Sequence, residues 1–95
     1  MDSERDDAVM QELRGKISDN DREIVRALNR RLDLVLRIKR YKESRGLEFV
    51  DRSREEWMLR DLARANRGPL SADGLRRIFE DIFELTKQEL ADREK

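Results

Sequence analysis

The sequence predicts an all-α fold: three helices per chain, one very long and two shorter, closed into an intertwined homodimeric bundle. Three observations point there. Apolar residues recur three and four positions apart from Met10 to Ile38, the stripe of a long amphipathic helix. Glycine, proline and capping residues gather around Gly46–Asp51 and Gly68–Ser71, where they divide the chain into helical segments. No alternating strand pattern, internal repeat or low-complexity tract interrupts those segments.

The first helix is expected over about residues 7–44, with Met1 to about Asp6 frayed because they are polar and terminal. Its stripe is Met10, Leu13, Ile17, Ile24, Leu28, Val35 and Ile38. Ser18, Asp19, Asn20 and Asp21 weaken it locally, since their side chains compete for backbone hydrogen bonds. The apolar phase is kept from Ile17 to Ile24, which predicts one continuous helix. Gly46 is the natural stop, with Lys42 and Arg45 suited to the negative end of the helix dipole. Leu47 to Val50 reads as a short linker anchored by Phe49.

The second helix is expected over about residues 51–66, capped by Asp51, with Glu55 and Glu56 near its first turn. Trp57, Met58, Leu62 and Ala65 give it an apolar side. Gly68 and Pro69 then break the chain, and Ser71 caps a third helix over about residues 71–92. Leu75, Ile78, Phe79, Ile82, Phe83, Thr86 and Leu90 share one face of it.

Geometry argues for an oligomer. A first helix of about 38 residues would be roughly 57 Å long at 1.5 Å per residue. A compact domain of this size has a radius of gyration of about 12–13 Å. The stripe is longer than one chain can cover, and a two-fold dimer is the simplest closure.

Composition narrows the function. Of 95 residues, 22 are Lys or Arg and 22 are Asp or Glu, so the formal net charge is zero and nothing points to nucleic acid or membrane. There is no cysteine and no histidine, which removes thiolate chemistry, zinc–thiolate sites and the commonest general base and metal ligand. No metal and no cofactor is expected. The acidic start MDSERDDAVM lacks a signal-peptide core, and no segment reaches the roughly 20 apolar residues of a membrane span. A soluble, cytoplasmic protein is the expectation.

The residues that interrupt the first stripe are the informative ones. The three-four walk lands on Arg31 between Leu28 and Val35, and on Lys42 after Ile38, while Arg14 flanks the same face. Burying unpaired charge is costly, so these cations need carboxylates, either from the protein or from a small polyanion. A second cluster, VDRSREEW, sets Asp51, Arg54 and Glu55 three and four apart on one helical face. By itself that pattern also suits a cap followed by a surface ion pair.

Taken together, LRGKI, an arginine seventeen residues after the first one, KRYK, DRSRE and a helical RRIFEDIFELT resemble the all-helical (type II) class of chorismate mutases. The resemblance runs from Leu13 to about Thr86. It implies an intertwined homodimer with two active sites that rearranges chorismate to prephenate, on the way to phenylalanine and tyrosine. It also leaves room for a partner synthase of the same pathway. Arg14 would reach into the other subunit's site and grip one substrate carboxylate. Arg31 would hold the second. Lys42 would point at the ether oxygen, and Arg54 would support carboxylate binding. Asp51 and Glu55 would sit near the ring hydroxyl and Lys42, with Thr86 at the family's small hydroxyl position. Four residues later the family usually has Gln or Glu as a second donor to the ether oxygen, and this chain has Leu90. A shifted helix end could bring Gln88 round, Lys87 could substitute, or the donor is missing.

Such a reaction is unimolecular and pericyclic, so it needs no nucleophile, metal or proton transfer. Two other readings remain: an isochorismate–pyruvate lyase on the same fold, and a non-catalytic helical dimerisation or regulatory module. The DxxRE run with Glu55 resembles the mutases more than the lyases.

Overall fold

A computed structural model describes residues 2–48 and 52–93. It contains three helices: α1 (Asp2–Ser44), α2 (Arg52–Ala65) and α3 (Ala72–Arg93). Among the described residues there is no strand. The chain divides into two compact units, Met1–Leu34 and Val35–Lys95.

The first unit is the larger part of α1. The helix starts at Asp2, not near residue 7. The physical reason is local: no glycine or proline occurs before Gly15, and Glu4, Asp6 and Asp7 favour the positive end of the helix dipole. The helix also passes through Ser18–Asp21 without a break. There Arg22 Nη1 bonds Asp19 Oδ1 at 3.1 Å, which turns a weak helix former into an ion-pair partner one turn away. Lys16–Glu12 at 3.6 Å and an Arg26–Glu23 pair repeat the pattern. Pairs of this kind add about 0.2–0.5 kcal/mol each to a helix. They line the polar side only. Met10, Leu13, Ile17, Ile24 and Leu28 are all exposed in the single chain.

The second unit holds the end of α1 and the α2–α3 hairpin. α1 stops in a paired cap around Gly46, whose φ is +68°. Leu47 N–H donates to Lys42 O at 2.8 Å, and Gly46 N–H to Glu43 O at 3.2 Å. This is the Schellman arrangement, in which the left-handed residue costs glycine least. The expected Phe49 anchor and Asp51 cap lie outside the described residues. After α2 the Asn66 side chain spans the turn, donating to Leu70 O at 2.9 Å and accepting from Gly68 N–H at 3.0 Å. Ser71 caps α3 as its sequence position suggests, its Oγ accepting from Gly74 N–H at 3.0 Å. A Cβ on Gly74 would come within 3.0 Å of that Oγ, so the missing side chain leaves space for the cap.

α2 and α3 pack on one another. Among the described residues the buried side chains are Leu59 on α2 and Phe83 and Leu90 on α3, and Phe79 leans on Phe83 with ring centroids 6.2 Å apart. Two details differ from the sequence expectation. On α2 the buried anchor is Leu59, one turn beyond Glu55 and Glu56, while Trp57 is exposed. On α3 Ile78 is exposed although it falls on the apolar face by spacing. On α3 the neighbouring helix selects a narrower strip than the periodicity defines, and on α2 it turns the buried strip toward Leu59, a residue outside the side formed by Trp57, Met58, Leu62 and Ala65.

Candidate active site

The candidate residues fall in both units. Arg14 and Arg31 belong to the first, where Arg14 is exposed and Arg31 half-buried. Lys42, Arg54, Glu55, Thr86, Lys87 and Gln88 belong to the second. Asp51 lies outside the described residues.

Lys42 sits in the last turn of α1 and is half-buried. Its carbonyl receives the capping bond from Leu47, so the backbone at this cation is fixed on both sides. Arg31, Lys42 and Arg54 are each engaged by at least one polar, ionic or ring interaction. For Arg54 one of these is Trp57, with the guanidinium carbon 4.4 Å from the ring centroid. That cation–π contact gives the exposed tryptophan a role other than core packing. Lys39, which spacing alone does not single out, is the more surprising cation. Its side chain is only 12% exposed and its Nζ lies 3.4 Å from Glu43. It falls three positions before Lys42, so the two share a helical face, together with half-buried Val35 and Leu36.

Between α2 and α3 lies an open groove of about 480 Å³. Leu59 and Phe83 form its apolar floor. Its walls carry three cations, Arg52, Arg76 and Lys87, and four carboxylates, Glu55, Glu56, Glu80 and Glu84. Alone, then, the groove carries one more negative than positive charge and does not suit a dianion. Two ion pairs cross it. Arg76 joins Glu56 at 3.0 Å and also holds Glu80 at 2.8 Å on its own helix. Lys87 Nζ lies 2.9 Å from Glu55 Oε1.

The end of α3 bears on the three possibilities left around residue 90. The helix runs unbroken to Arg93, and Gln88 is exposed in the single chain. Leu90 is 2% exposed, the most deeply buried large side chain among the described residues. Thr86 is half-buried and its hydroxyl donates to Ile82 O at 2.6 Å. Lys87 in this turn reaches another candidate residue, Glu55. Among the described residues no group of three or more carboxylates, histidines or cysteines could hold a metal ion. No described helix is long and apolar enough to cross a membrane.

Comparison with known proteins defines the class first: an all-helical enzyme domain. A family model described as chorismate mutase type II matches residues 13–90. Two solved structures of a chorismate mutase from Thermus thermophilus are similar to the chain. Form I is 38% identical with a TM-score of 0.79, covering 81% of this chain and 96% of that one. Form II is 37% identical with a TM-score of 0.80, covering 83% and 90% respectively. No curated protein matches. The chain belongs to the chorismate mutase type II family.

Proposed function

We propose that the chain is an isomerase that rearranges chorismate to prephenate, working as a homodimer whose two sites each draw residues from both copies. The observation that carries this reading is the family match: it spans residues 13–90 and so includes every candidate from Arg14 to Gln88. The exposed apolar stripe of α1 supports the dimer, because Met10, Leu13, Ile17, Ile24 and Leu28 lack cover in one chain. The reading includes a cytoplasmic location and leaves room for a partner synthase.

In the mechanism, the ether C–O bond breaks as the new C–C bond forms, with no proton moved. The protein must hold a flexible dianion in a chair-like conformer and stabilise the negative charge growing on the ether oxygen. Arg14 of one copy and Arg31 of the other take the two carboxylates, where bidentate guanidinium pairing gives orientation as well as charge. Lys42 donates to the ether oxygen. Arg54 adds positive charge near the carboxylates, and Asp51 and Glu55 face the ring hydroxyl and offset the cations. The α2–α3 groove carries surplus negative charge, so recognition of the dianion falls to these cations.

The test is direct. Purified protein is incubated with chorismate and prephenate is followed by proton NMR. Turnover is expected, and Lys42→Ala should lower kcat by about 10²–10³ while the far-ultraviolet circular dichroism is unchanged. Inertness toward chorismate, or salicylate and pyruvate formed from isochorismate instead, rejects the reading. Undiminished turnover in Lys42→Ala rejects the role of Lys42.

A further inference from the structure

We infer that Lys87 is a positioning residue that acts through Glu55, and not a direct donor to the ether oxygen. The inference rests on the proposed rearrangement of chorismate and assigns a device within that site.

The geometry is specific. Lys87 Nζ and Glu55 Oε1 are 2.9 Å apart across the groove, joining the last third of α3 to the first turn of α2. Both side chains are partly withdrawn from water, at 37% and 27% exposure. Glu55 shares the groove with Glu56, Glu80 and Glu84. Of these, Glu56 and Glu80 are matched by Arg76, which bonds both. Glu55 is bound by Lys87. A carboxylate beside like charges and partly desolvated has two ways to lower its energy: bind a cation, or swing toward water. The ammonium of Lys87 provides the first and removes the second.

The neighbouring positions sharpen the assignment. Leu90, one turn along α3, is buried and offers no donor. Gln88 is exposed. Thr86 spends its hydroxyl proton on Ile82 O. With its ammonium already bonded to Glu55, Lys87 influences the substrate by fixing where that carboxylate points.

A double-mutant cycle on the full chain separates this from the alternatives. Wild type, Lys87→Met, Glu55→Gln and the double variant are assayed for kcat and KM with chorismate. Melting temperature and circular dichroism are recorded for each. Lys87→Met is expected to lower kcat/KM about tenfold in the wild-type background and less than about twofold in the Glu55→Gln background. Lys87→Arg, which keeps the charge, should recover most of the loss. If Lys87→Met misfolds, Lys87→Gln takes its place in the cycle. Equal losses in both backgrounds would mean that Lys87 meets the substrate itself, and would overturn the inference. So would an unchanged kcat/KM in Lys87→Met, or an equal loss in Lys87→Arg. A wild type inert toward chorismate rejects the functional reading and this inference with it. An active wild type with an insensitive Lys87 rejects the inference alone.

Discussion

Leu90 and Lys87 lie one turn apart near the end of α3 and serve opposite ends of the polarity scale. Leu90, at 2% exposure, is a core residue, and its apolar character follows from that burial. Replacing it with alanine removes buried methyl groups and leaves a cavity. Leu90→Ala is therefore expected to destabilise the protein by about 2–5 kcal/mol, read from urea denaturation midpoints at fixed protein concentration. A loss below about 0.5 kcal/mol would mean that residue 90 is not part of the core. From sequence, Leu90 is visible as a departure from the family pattern. Spacing also places it on the apolar face of α3 but does not give the depth of its burial, because Ile78 falls on the same face and is exposed. Lys39 shows the same limit in reverse. It is a lysine inside a charged run, and only its 12% exposure distinguishes it from its neighbours.

At the scale of elements, local chemistry determines the helix ends that carry a glycine or a capping side chain more firmly than the start of α1. Gly46 and Ser71 are read from sequence and act as read, because each uses its own backbone or side chain within a few residues. The cap at Ser71 gives a clean test. Ser71→Ala should cost about 1 kcal/mol in the denaturation free energy, and Ser71→Asp should restore most of it, since either side chain can accept from Gly74 N–H. Equal stability of Ser71→Ala and wild type would show that the α3 N-terminus does not depend on this bond. The start of α1 is less legible. Polarity and a terminal position suggest fraying, yet the acidic residues there favour the helix N-terminus. The ion pairs between α2 and α3 are not legible at all. Glu55–Lys87 and Glu56–Arg76 depend on the register between two helices, which no single-helix periodicity contains.

For the whole molecule, two features bear on a second copy: an apolar stripe on α1 that one chain leaves uncovered, and candidate cations strung along the same helix. Both are satisfied if two copies intertwine and each site borrows Arg14 from the other copy. The stripe and the cations are readable in sequence because both are matters of spacing along one helix. How they close is a property of the assembly.

The most direct test of shared sites is subunit complementation. Arg14→Ala and Lys42→Ala variants, each nearly inactive toward chorismate, are mixed, unfolded together and refolded to exchange subunits. In a randomly mixed dimer population half the dimers are hybrids, and each hybrid has one site with both residues intact. Recovery of about a quarter of wild-type activity is expected. A mixture as inactive as its parents, with light scattering showing that hybrids can form, would contradict shared sites.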